Sequence, residues 1–184
     1  MDPTEILVAE HRVIRSGLSV LLCVARRAER REPLGEGCAS DVVAFLRRYA
    51  DVLHHAKEER ILFPALGELG LPGRAGPLAN LVHEHAVGRE LLGKMDEAIE
   101  AGLENGGGAP FAAAATEYCH LVRRHTDKEE RLVFPIARAS LPDPIRRTVA
   151  DALRRHRVAH AAEQERCLAL LEPLIGLIAP DRGE

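Results

Sequence analysis

The chain has 184 residues, the size of one domain that buries roughly 70% of the surface its unfolded form exposes. Aromatic residues make up 3% of it, Trp is absent, and Ala, Leu, Val, Arg and Glu dominate. That composition favours helices over sheets, because most of these side chains lose little rotamer freedom in a helix, and a net charge of −3 argues against a nucleic-acid partner.

In chain order, Asp2, Pro3 and Glu5 fit the N-cap, N1 and N3 positions of a first helix reaching about Arg31, with Ile6, Val13, Leu18, Leu21 and Leu22 at helical spacing. These acids stand where a secretory leader is basic, and no apolar run spans a membrane, so neither signal peptide nor membrane partner is expected. The PLGEG loop at 33–37 ends this helix. A second is expected from a Ser40 cap through Val43, Leu46, Ala50, His54 and Glu58 until Pro64 kinks or stops it. Gly70–Pro77 reads as a loop, a third helix runs from about Pro77 to Gly102, and Asn105–Pro110 breaks it from a fourth that reaches about Ala139. Asp143 and Pro144 restart the chain as a C-terminal helix to about Glu172, with the apolar stretch Leu174–Ile178 expected to dock back on the bundle. The expected architecture is therefore all-α: one domain over residues 1–184, an up-down four-helix bundle at about 3–140 with an additional C-terminal helix at about 144–172. Cys23, Cys38, Cys119 and Cys167 form no CxxC pair and read as reduced thiols of a cytoplasmic protein.

The chemistry sits in a repeat. Residues 54–64 read HHAKEERILFP and residues 125–135 read HTDKEERLVFP, an offset of 71. On a helix, positions i and i+4 share a face, so His54 with Glu58 and His125 with Glu129 each present an imidazole and a carboxylate to one side. Glu10, His11 and Arg15 match Glu84, His85 and Arg89 at an offset of 74, so the chain reads as two copies of one helical hairpin. His11, His54, Glu58, His85, His125 and Glu129 are then the candidate metal ligands. Four imidazoles and two carboxylates suit iron, manganese or zinc better than calcium or magnesium. Six protein ligands exceed one tetrahedral zinc and fit two octahedral metals bridged by carboxylates.

Neighbouring residues compete for these roles. His55 with Glu59 is the same i,i+4 pair turned by about 100°; the 71-residue offset favours His54. Glu130 is the alternative to Glu129. His83 points away from His85 and is expected at the surface, as is His120 of the Glu117–His120 pair. His156 and His160, flanked by arginines, are expected on a solvated face. Tyr118 is expected in the core with its hydroxyl towards the metal cavity as the alternative, and Leu62, Phe63, Val133 and Phe134 as plain core.

The two HxxxEE motifs with their LFP and VFP tails, together with two EHxxxR motifs, resemble the hemerythrin-like, or HHE cation-binding, domain family over roughly residues 5–140. The resemblance implies a four-helix bundle holding a non-heme di-iron centre, two iron ions on the six candidate ligands, with an oxo or hydroxo bridge. Oxygen-carrying hemerythrins have HxxxH on the third helix and HxxxxD on the fourth. Here Arg89 stands at the second of those histidines and Glu129–Glu130 follow His125. This implies one histidine fewer, an added open position, and a likeness to bacterial hemerythrin-like and iron-centre repair proteins that handle nitric oxide, peroxide or iron. The expected function is a di-iron protein reacting with hydrogen peroxide, nitric oxide or dioxygen in redox or stress defence, with an unidentified redox or signalling partner; the alternative is an oxygen- or iron-sensing module without catalysis.

Overall fold

Leu7, Ile14, Leu18 and Leu21, spaced by whole helical turns, are fully buried along one side of α1, Glu5–Glu29. The computed structural model describes residues 2–71 and 76–176 and contains helices and no strand among them. Helix α1 starts two residues later than its acidic N-terminus suggests. Asp2 accepts hydrogen bonds from the Thr4 amide (2.8 Å) and hydroxyl (2.7 Å) and so caps the entry from outside.

The second rod begins at Cys38 instead of Ser40, because Gly37 takes a left-handed conformation (φ 75°) that turns the chain into the helix earlier. It runs through α2 (Cys38–Phe45), π1 (Leu46–His55), π2 (Glu58–Leu62) and α3 (Phe63–Glu68). The fourth rod repeats part of this pattern as α5 (Gly108–Lys128), π3 (Glu129–Val133) and α6 (Phe134–Ser140). In both, a π segment directly precedes a proline, Pro64 or Pro135. Inside an α-helix a proline ring collides with the carbonyl four residues earlier and cannot donate to it. The wider winding of π2 and π3 accommodates both problems, so the chain passes each proline as helix. The third rod is α4, Pro77–Glu100, joined to α5 through a short 3-10 turn at Leu103–Asn105. Residues 72–75 of the expected Gly70–Pro77 loop lie outside the described residues.

Helix α5 packs on α1 and α4, and α2 on both as well, which closes the bundle. Its interior has two apolar cores. One gathers Ile14, Leu18, Phe45, Leu53, Leu92, Phe111 and Val122; the other gathers Leu7, Leu62, Leu66, Leu81, Phe134 and Ala137. Between them in sequence lie buried polar residues at 10–11, 54–55, 57–58, 85, 125–126 and 129, which form one layer.

Beyond residue 142 the chain is helical, as expected, but it breaks at His160 into α7 (Asp143–Ala159) and α8 (Ala161–Ile175). Helix α7 lays Val149 and Leu153 on the second core, while Cys167, Leu171 and Leu174 of α8 enter the first core against α1 and α2. Leu174 thus docks as expected, and Leu177 and Ile178 lie outside the described residues. The second hairpin has no such cover among the described residues. Where the first carries fully buried Val20, Val42 and Leu46, the corresponding positions of the second are exposed Lys94, Ala113 and Glu117.

Candidate metal centre

The polar layer draws one to three donors from each rod: His11 from α1, His54 and His55 from π1 with Glu58 from π2, His85 from α4, and His125 from α5 with Glu129 from π3. All seven are buried. They fall into two groups, His11–His54–Glu58–Glu129 and His55–Glu58–His85–His125, within each of which the donor atoms lie within 4.8 Å of one another. All six residues expected from the repeat are present. His55 joins them, although the register argument had set it aside for His54. The π winding of residues 46–55 advances more slowly per residue than an α-helix, so adjacent histidines both face inward. The layer therefore offers five imidazoles: the histidine missing at Arg89 is restored from a different rod.

Two pairs of imidazoles meet at their Nε2 atoms, His11 with His54 and His85 with His125, each at 3.0 Å. Each carboxylate spans the two pairs. Glu58 places Oε1 3.2 Å from His54 Nε2 and Oε2 3.5 Å from His85 Nε2. Glu129 places Oε1 3.3 Å from His125 Nε2 and Oε2 3.3 Å from His11 Nε2. None of these four oxygens makes a hydrogen bond. A buried carboxylate left so costs several kcal/mol in effective terms unless a cation compensates it.

The outer ring nitrogens fix which atoms face inward. His54 Nδ1 donates to Glu10 (2.9 Å), His125 Nδ1 to Glu84 (3.0 Å), His11 Nδ1 to Glu130 (2.7 Å) and His85 Nδ1 to Glu59 (2.7 Å). Every one of these carboxylates is backed by a cation. Lys57 binds Glu10 at 2.8 and 2.9 Å, Lys128 binds Glu84, and Arg15 and Arg89 bind Glu130 and Glu59, both at 2.9 Å. Glu130 and Glu59, competitors for ligand roles in the sequence, thus orient imidazoles, and Arg89 secures one of them. With the proton held on Nδ1, each Nε2 turns a lone pair inward. Facing lone pairs at 3.0 Å beside unbonded carboxylate oxygens repel unless a cation lies among them. Protons can fill that role: burial opposes charge on His54, but Glu58 and Glu10 outweigh it and raise its pKa to about 9. Burial likewise opposes charge on His125, and Glu129 and Glu84 raise it to about 10. Burial and mutual repulsion oppose ionisation of Glu58, and burial that of Glu129, yet the surrounding imidazoles hold both below the usual carboxylate range. A metal cation fits the same place, and nitrogen plus carboxylate donors suit a transition metal.

The remaining candidates sort by position. Phe134 stacks on His11 (ring centroids 5.5 Å) and Phe63 on His85 (6.2 Å), so these core residues also wall the site. Tyr118 is buried in the first core and belongs to neither donor group. His83, His120 and His160 are exposed, as expected. His156 departs from the expected solvated face: it is half-buried, and burial with the nearby Lys57 charge depresses its pKa to about 4. Cys119 and Cys167 are buried, and Cys23 and Cys38 half-buried. No helix among the described residues is long and apolar enough to cross a membrane.

Among curated proteins and among solved structures, nothing matches the chain significantly. The model of the hemerythrin HHE cation binding domain matches residues 2–137, which contain all four rods up to Ala137 and every donor of the two groups. With carboxylates bridging two imidazole groups inside a four-rod bundle, the chain belongs to the hemerythrin HHE cation-binding family.

Proposed function

We propose that this cation-binding domain holds a non-heme di-iron centre on His11, His54, Glu58, His85, His125 and Glu129, with His55 as a further ligand. Its function is reaction with a small ligand, hydrogen peroxide, nitric oxide or dioxygen, in redox or stress defence. The observation that carries this reading is the pair of carboxylates, Glu58 and Glu129, buried between two imidazole groups with all four oxygens unbonded. That is the donor pattern of two bridged metals rather than one. Bound iron would supply Lewis acidity and electrons for a small ligand. The chain's own residues orient the Nε2 lone pairs through their Nδ1 partners, and Phe63, Phe134 and the flanking cores keep bulk water away. Cysteines scattered without a CxxC pair suit a reducing cytoplasm, with electrons supplied by a redox partner.

The presence of His55 favours the second reading, an oxygen- or iron-binding sensor, because it brings the imidazole count up to five. Two measurements separate the readings. Elemental analysis of protein from iron-supplied cells should find about two iron atoms per chain, lost on His54→Ala or Glu129→Ala and retained in His83→Ala and His120→Ala; one zinc and no iron would sink both. Stopped-flow mixing of the reduced protein with oxygen should give rapid oxidation, whereas a long-lived spectrum that reverses under vacuum would establish the binding module.

A further inference from the structure

Four of the five imidazoles are locked and one is not. Each of His11, His54, His85 and His125 donates from Nδ1 to a carboxylate that is itself held by Arg15, Lys57, Arg89 or Lys128. His55 Nδ1 is buried and makes no hydrogen bond. Its nearest carboxylate oxygen, Asp51 Oδ1, stands 3.5 Å away and already accepts the Arg89 Nε–H at 2.7 Å. Outer carboxylates that orient a ligating histidine are worth roughly ten- to a hundredfold in metal affinity, so His55 is the weakest of the five donors by that factor. The repeat adds a comparison. Thr126 occupies the position equivalent to His55, and its hydroxyl is spent on the Arg123 carbonyl and the Arg15 guanidinium, both at 3.2 Å. Only the His85–His125 side therefore carries a third imidazole. His55 is also the last residue of π1, and its ring lies flat on His85 (centroids 3.8 Å, 10° between planes), with no hydrogen bond at Nδ1 to hold it in place.

We propose that His55 is an exchangeable ligand: a small anionic or diatomic molecule takes its coordination position on the His85–His125 side while the four locked imidazoles and two carboxylates keep both metals. The exchange replaces one donor atom by another and moves no electrons. It deepens the di-metal reading above and rests on it.

The test uses iron-loaded protein and azide, with metal content and visible absorption as readouts. His55→Ala and His55→Gln should both keep two metals per chain, whereas His85→Ala should fall below two. Removing the internal competitor raises the fraction of binding-competent sites, so azide should bind the two His55 variants about tenfold more tightly than the parent protein, the lower end of the orientation factor. Loss of a metal from both His55 variants, with the parent holding two, would show His55 to be a fixed ligand. Unchanged azide affinity in metal-replete variants would place azide elsewhere and equally overturn the exchange. Fewer than two metals in the parent protein would instead overturn the di-metal reading, a failure visible before any variant is made.

Discussion

Lys57 and Lys128 occupy equivalent places in the two hairpins, so replacing each by methionine measures what the C-terminal cover adds. Lys57 is fully buried; its ammonium binds both Glu10 oxygens and the Leu53 carbonyl at 2.8 Å, and Gln164 of α8 approaches Glu10 at 3.4 Å from outside. Lys128 binds one oxygen of Glu84, and its side chain is 35% exposed. Removing one partner of a buried ion pair strands the other charge and costs about 3–5 kcal/mol. An exposed pair, screened by water, contributes about 0–1 kcal/mol. For a chain of this size each kcal/mol moves the melting temperature by about 2–4 °C. Lys57→Met should therefore lower the melting temperature of the metal-free protein by roughly 6–20 °C, and Lys128→Met by less than about 4 °C. Circular dichroism melts and urea titrations on the same samples give both numbers. Equal shifts in the two variants, or a neutral Lys57→Met, would refute the argument that burial by α8 separates the two pairs.

Three further outcomes follow from the site and the core. His54 and His125 have pKa values raised to about 9 and 10 against about 6.5 in an unfolded chain. Their contribution to the metal-free protein is complete below pH 6.5 and lost as pH rises through 9 to 10. The metal-free protein should lose urea resistance between pH 7 and 10 while the metal-loaded form does not; a flat profile for the metal-free form would contradict the imidazolium assignment. Metal should raise the melting temperature, and the gap between loaded and metal-free forms should shrink in the Glu58→Gln, Glu129→Gln double variant, because amides are cheaper to bury but ligate poorly; an undiminished gap in differential scanning calorimetry would place the metal elsewhere. Gly17→Ala should destabilise by about 1–3 kcal/mol, since an added Cβ would stand 2.4 Å from Phe45 Cε1, whereas Gly93→Ala, with nothing within 4 Å, should stabilise α4 by about 0.5–1 kcal/mol. Denaturant midpoints of the two variants moving in the same direction would count against that packing.

The repeat made most of the site legible. Matching HxxxEE motifs selected His54, Glu58, His125 and Glu129, and the Glu-His-xxx-Arg offset selected His11 and His85, because duplicated hairpins place equivalent residues on one layer. His55 escaped for a physical reason. Judging faces at about 3.6 residues per turn forces a choice between neighbours, and the π winding of Leu46–His55 removes that choice. The shared EER-x-x-FP tail held no signal for it: the fourth rod carries the same tail and stays α-helical through Lys128. The outer carboxylates were less visible, because whether Glu59 and Glu130 ligate or orient is decided by reach across to the neighbouring rod, which no spacing within one helix contains. The break at His160 was also hidden, since residues 156–164 include neither Gly nor Pro.

The outside clamp that α8 places on α1 and α2 makes the two halves of the bundle unequal in how easily they breathe. The first hairpin is gripped on its inner face by the bundle and on its outer face by Cys167, Leu171 and Leu174; among the described residues, the second is gripped on its inner face alone. Regions with fewer buried apolar contacts open at lower free energy. Amide hydrogens of α4 and α5 should accordingly exchange with solvent sooner than those of α1 and α2, so that a cation enters or leaves the polar layer when the second hairpin swings away, while the first stays shut as the fixed jaw.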